Sequence, residues 1–187
     1  MLAIAFLALL LVAAPAAADT NARLAAAAQE QIGVTVLYDG SYRKLAYPGG
    51  DVAPDRGVCT DVIIRAYRKR GIDLQERVHK DMRARWSDYP RNWGLKSPDT
   101  NIDHRRVPNL EAYFRRHGTV QPLSRKAADF KPGDIVTWML PPALPHIGIV
   151  ADQRSPDGTP LVIHNIGAGT LMEDVLFAYR MVGHFRY

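Results

Sequence analysis

The 187-residue chain has little cysteine: Cys59 is the only one. That excludes an intramolecular disulfide framework and a cysteine-based zinc site. Charge of either sign is not extreme. Lys+Arg 24 against Asp+Glu 19 leaves +5, and 23% charged beside 47% hydrophobic residues describes a globular chain, not a disordered one. No internal repeat is present, and no low-complexity tract lies beyond the first residues. No RNA motif with interleaved aromatics and no DNA-binding helix signature occurs, so nucleic acid is not an expected partner.

Leu2 to Ala14 is an apolar run, shorter than the roughly 20 residues that span a bilayer. It ends in Ala16-Ala17-Ala18 before Asp19, the small-residue pattern of a secretory cleavage site. A positive leading region is missing, which keeps an N-terminal membrane anchor as the alternative. No cysteine follows the run, so a lipoprotein anchor is not expected. The expectation is a signal peptide over 1–18 and one domain over 19–187, periplasmic or secreted, with no stable membrane insertion after cleavage. Export makes a lone thiol a liability unless it is buried or used.

Hydrophobic periodicity predicts helices first and strands after. Helices are expected over Thr20–Ile32, Thr60–Arg70, Asp73–Trp86 and from Pro108 to Gly118, with an ordered loop over Tyr38–Arg56 and a long irregular one over Ser87–Val107. Strands are expected at Asp134–Trp138, His146–Val150, Leu161–His164 and Met181–Tyr187, with a hairpin turn at Ser155–Gly158. That order is an α+β pattern with an antiparallel sheet. From Arg65 to Arg116 the net charge is +7 (14 basic, 7 acidic residues). This stretch is either a solvated helix surface or the rim of a cleft for an anionic or carboxylate-bearing substrate.

Cys59 stands at a predicted helix start, where unpaired N–H groups favour a thiolate. Gly57 leaves room there for the close approach of another backbone or a substrate. A nucleophilic cysteine needs a base, and the base an orienting partner. Of six histidines, His79, His117 and His184 lie on a charged helix face, in a last helical turn and near the terminus. His146 opens one strand and His164 closes the next. In a hairpin of even register both project from one face, so one ring orients the other; an odd register separates them. The alternatives are a buried structural cysteine, and a three-histidine zinc site that adds His104.

Tyr47-Pro48-Gly49-Gly50, Gly57-Val58-Cys59-Thr60-Asp61, Lys131-Pro132-Gly133-Asp134, His146-Ile147-Gly148-Ile149-Val150 and His164 follow in order. Together they resemble the layout of the NlpC-type papain-like cell-wall cysteine peptidases. Asn101-Ile102-Asp103-His104-Arg105-Arg106-Val107-Pro108-Asn109-Leu110 and His164-Asn165-Ile166-Gly167 resemble, more closely, a YijF-like family of short exported bacterial proteins. The resemblance implies a papain-like fold with the cysteine helix packed on the C-terminal sheet. It implies Cys59 as nucleophile, His146 as general base, and His164 as the third polar residue. Tyr47 and the Cys59 backbone N–H are then the oxyanion donors. The implied reaction is hydrolysis of an amide in peptidoglycan or its stem peptides, without a metal or other cofactor. A thioester acyltransferase and a catalytically silent wall-binding module are the alternatives.

Two departures bear on specificity. Val58 stands where the NlpC pattern has an aspartate that holds a free amine, and Asp61 follows two positions after Cys59 instead. Within Asn101–Arg106, Asp103, His104 and the pair Arg105-Arg106 either read a substrate carboxylate or tie the long loop to the body. Trp86, Trp93 and Trp138 are expected as core or cleft wall.

Overall fold

A computed structural model describes residues 16–187, with side chains from Asn21 onward. Residues 1–15 of the expected leader lie outside the described residues. Helix α1 runs over Ala16–Gln29, so it begins before Thr20, the residue expected to cap it. Its buried Leu24, Ala25 and Ala28 face the core. The two-residue strands β1 (Leu37–Tyr38) and β2 (Arg56–Gly57) pair in parallel and close off the loop between them.

Helix α2 (Cys59–Lys69) buries Val62, Ile63, Ile64, Ala66 and Tyr67. Helix α3 (Leu74–Ala84) is capped by the Asp73 side chain, which accepts the Gln75 N–H. It is shorter than its apolar spacing predicts. Trp86, the last residue of the expected helix, lies in a separate 3-10 turn, Trp86–Asp88. Two further 3-10 turns, Asn92–Gly94 and Asp103–Arg105, break up the long loop before helix α4 (Val107–His117). Pro108 in its first turn lacks only an N–H that would have no partner there.

After the short β3 (Thr119–Val120) come β4 (Ile135–Leu140), β5 (Leu144–Arg154), β6 (Pro160–His164), β7 (Leu171–Glu173) and β8 (Arg180–Arg186). They form one antiparallel sheet in the order β3-β8-β4-β5-β6-β7. The α+β expectation and its four strands hold. The sequence reading missed β3 and β7, which are short and largely exposed. Alternation along β5 sends Ile147 and Ile149 into the core shared with the helices. Val150 faces a second cluster with Trp138, Val136 and Val162. The last residue, Tyr187, is held by Tyr67, which donates to its carbonyl, and by hydroxyl contacts with Arg77 and Tyr113.

The loop over 38–56 is fixed from outside itself. Arg65 on α2 spans Asp51, Thr35 and the carbonyls of Val52, Ala53 and Arg56. Gln75 on α3 accepts the Gly50 N–H and donates to the carbonyls of Ala46 and Thr100. Gly50 is required here because a Cβ would sit 2.0 Å from the Ala46 oxygen. Among the described residues no helix is long and apolar enough to cross a membrane.

Candidate active site

Cys59 is the first residue of α2, as its setting in the sequence predicts. The turn that delivers it is built on Asp61. One Asp61 oxygen accepts the Val58 N–H at 2.7 Å, and the Arg105 guanidinium grips both oxygens at 2.9 Å. Arg105 spends its other donors on the carbonyls of Ser41 and Asp39. Asp61 and Arg105 are therefore both buried and paired with each other. Gly57 has its own reason: a Cβ there would lie 3.0 Å from the Asp61 side chain. It makes room for the strut, not for a ligand. From the sheet side, Asn165 donates to the Gly57 carbonyl at 3.1 Å and ties the end of β6 to the same turn.

The two strand histidines meet. β5 and β6 pair Ile149 with Ile163 and Val150 with Val162, the even register that puts His146 and His164 on one face. His146 Nε2 and His164 Nδ1 are 2.8 Å apart, and the rings are nearly perpendicular. Both are buried. Gly148 keeps the channel between them open, since a Cβ there would lie 2.6 Å from Val162 and 3.2 Å from the His164 Cβ. His164 Nε2 lies 3.0 Å from Glu173 Oε2 on β7, at ion-pair distance though without hydrogen-bond alignment. The sequence offered no sign of Glu173, because β7 is only three residues long.

The charge on Glu173 favours one set of tautomers. With Glu173 as a carboxylate, His164 carries its proton on Nε2 and accepts on Nδ1. His146 must then donate from Nε2, which leaves its Nδ1 lone pair unused by any described residue. That nitrogen is the free base of the set.

The Cys59 thiol sits beside the next residue of the same strand. The backbone N–H groups of Ile147, Thr60 and Cys59 itself favour its ionised form, yet burial outweighs them and pushes it up to about 12. Burial and the His164 neighbour push His146 down to about 3. The resting pair is thus a neutral thiol and a neutral imidazole. The thiolate expected from the helix start does not form at rest, because desolvation exceeds what the N–H groups return. No hydrogen bond joins Sγ to either ring among the described residues.

Cys59 opens on a cleft of about 200 Å³, lined also by Tyr38, Val58, Trp93, Arg106, Leu144 and Pro145. Tyr38, not Tyr47, is the tyrosine beside the thiol, and its hydroxyl has no partner among the described residues. Tyr47 packs edge-on against His79, 5.2 Å between centroids, and does not line the cleft. Its Gly-Gly loop is an anchor onto α3. A tyrosine nine positions earlier did not match the motif, and only the parallel pairing of β1 with β2 brings it in.

The Asn101–Arg106 string divides. Asn101 accepts the Leu45 N–H and donates to Tyr42 and Asp99. Asp103 is fully buried, holding the Asp99 N–H and the His79 ring. His104 is buried and pushed down to about 3 by burial and by Arg105 and Arg68, apart from the His146–His164 pair. Ile102, Arg105 and Arg106 line the cleft; the Arg105 guanidinium is held by Asp61 and two carbonyls, while that of Arg106 has no partner among the described residues. Of the tryptophans, Trp138 is core and lies 5.9 Å from the His146 ring, while Trp93 is cleft wall. The three other histidines all face acceptors: His79 on Asp103, His117 on Asp81 and His184 on Asp134. A larger hollow of about 430 Å³ beside α1 contains no nucleophile, and its cations Arg65, Arg68 and Lys69 are paired with Asp51 and Glu30.

Comparison with known proteins gives a family and a fold. A family model described as a domain of unknown function, DUF1287, matches residues 25–187. A relative from Escherichia coli (strain K12), described as uncharacterized protein YijF, is 57% identical over 170 residues, 91% of this chain and 83% of the relative. The solved structures of NlpC1 and NlpC2 from Trichomonas vaginalis share the fold, with TM-scores of 0.51 and 0.53 at 18% and 17% identity. They cover 92% and 94% of this chain, which spans 45% and 48% of theirs, just under half of each.

Proposed function

The chain belongs to the DUF1287 family, and from that premise and the geometry of its cleft we propose that it is an exported cysteine hydrolase. The bond cut is an amide in the peptide part of bacterial cell wall, and the intermediate is a thioester on Cys59. The observation that carries the reading is the hydrogen-bonded pair His146–His164 with Glu173 at ion-pair distance behind it, on a strand whose next residue supplies the amide that touches the thiol.

The steps balance without a cofactor. As Sγ attacks the carbonyl carbon, its proton passes to His146 Nδ1. The His146 cation is then stabilised through His164 by Glu173. The oxyanion accepts from the Cys59 N–H at the helix start and from the Tyr38 hydroxyl, each donor worth about 3 kcal/mol in comparable sites. His146 returns the proton to the leaving nitrogen and the C–N bond breaks. Water then attacks the thioester and gives a proton to His146, the C–S bond breaks, and the thiol is restored. Export rests on the apolar run Leu2–Ala14 and its small-residue end. The cell-wall substrate rests on the likeness to NlpC-type proteins.

The test is digestion of purified cell-wall peptides with the wild type and with Cys59→Ala. Mass spectrometry is expected to find a new amine and a new carboxylate with the wild type only. Equal cleavage by Cys59→Ala overturns the mechanism. A transferred acyl group in place of a carboxylate makes the protein an acyltransferase. A second reading, a wall-binding module with a silent cleft, draws on the burial of Cys59. Binding of cell-wall peptides with no cleavage by the wild type supports it.

A further inference from the structure

We propose that Arg106 is the receptor for a substrate carboxylate, so that the peptide taken by the cleft carries a free carboxyl group close to the bond that Cys59 attacks. This deepens the hydrolase reading and rests on it for the position of the scissile bond. The two neighbouring arginines have opposite fates. Arg105 is saturated by Asp61 and two carbonyls. Arg106 also lines the Cys59 cleft, and its guanidinium has no hydrogen bond or ion pair with any described residue. Its Nη1 is buried without a partner. Its contact is the Trp93 ring, with the guanidinium carbon 4.5 Å from the ring centroid.

The nearby carboxylates are otherwise engaged. Asp103 holds His79 and the Asp99 N–H, and Asp99 holds Tyr42 and Asn101. A half-buried guanidinium with its donors unused is a costly arrangement unless something fills it. Trp93 supports the same conclusion. It is 58% exposed and holds a left-handed backbone at φ 62, a strained conformation for a residue with a Cβ. That backbone holds a flat ring against the guanidinium, and both side chains line the cleft. A planar, two-oxygen anion fits a guanidinium fork, and a side-chain carboxylate and a peptide's C-terminal carboxylate share that chemistry.

The experiment uses cell-wall stem-peptide fragments in three forms: both carboxyls free, the side-branch carboxyl amidated, or the C-terminus amidated. Binding is measured by calorimetry and by tryptophan fluorescence on Cys59→Ala, alone and with Arg106→Met or Arg106→Lys. Cleavage is measured on the wild type. One amidation is expected to weaken binding at least about tenfold when Arg106 is present, and that discrimination should vanish in Arg106→Met and be partial in Arg106→Lys. The arm that loses affinity identifies which carboxylate is read. Equal affinity for all three forms overturns the proposal. So does discrimination that survives in Arg106→Met while Arg106→Lys keeps a native fluorescence spectrum. Carboxylate-dependent binding through Arg106 with no cleavage at all sinks the hydrolase reading and leaves the receptor standing. Cleavage without discrimination sinks the receptor alone.

Discussion

Glu173 is the residue whose role is easiest to isolate. It lies 3.0 Å from His164 and not on the cleft, so it acts through the histidines as a positioning residue. Its carboxylate pulls the His164 pKa up against burial. Glu173→Gln removes that charge and makes the imidazolium of the coupled pair harder to form. We expect kcat/KM to fall about tenfold and the acid limb of its pH profile to move to lower pH. Glu173→Asp should recover most of the rate. A rate loss with an unmoved acid limb would mark the residue as packing only. Sequence could show the cysteine and both histidines, because a helix start and a two-residue strand period are local facts. It could not show Glu173, which sits on the three-residue β7, or Tyr38, because a short β-like run at Val34–Leu37 does not reveal that its end pairs with Arg56–Gly57 beside the thiol.

At the scale of elements, α2 and the loop after α3 are joined by one ion pair. Asp61 and Arg105 are 44 positions apart, and their side chains are 4% and 2% exposed. Arg105→Met leaves the Asp61 carboxylate buried with only the Val58 N–H. Removing one partner of such a pair costs about 3–5 kcal/mol. Chemical denaturation should show that loss, with a smaller one for Asp61→Asn, which keeps hydrogen-bonding atoms in place. A change below about 1 kcal/mol would mean that the strut is dispensable. The pairing also explains why the Asn101–Arg106 string resisted a single reading. Its members are split between scaffold and cleft by side-chain direction, and a linear motif carries no record of direction.

For the whole molecule the buried histidines set an acid limit. His146 and His104 are each held neutral, down to about 3 from an ordinary 6.5. Between those values the unfolded chain binds protons that the native protein refuses, so stability is full above pH 6.5 and falls as pH drops. By pH 4 the loss is about 3 kcal/mol for each ring. Asp103, raised by burial, works in the opposite sense. Equilibrium unfolding between pH 7 and pH 4 should show the decline, and His104→Gln should flatten it by about one ring's share. A slope unchanged in His104→Gln would show that this ring takes up its proton in the folded state. The middle of the chain carries the excess positive charge, yet Arg65, Arg68, Arg105 and Arg116 are paired with carboxylates. The surplus that is free to attract a ligand is narrower than the count of cations implies.

One guanidinium, that of Arg105, binds the turn presenting the nucleophile and, through the carbonyls of Asp39 and Ser41, the strip of chain that follows Tyr38. Reactivity and ligand choice therefore share a single mechanical hinge pin. Substitutions on either side of it will be epistatic. A lineage that reshapes its ligand preference by altering this strip disturbs the aim of the sulfur in the same step, unless the change confines itself to Trp93, Arg106 and Leu144 across the gap.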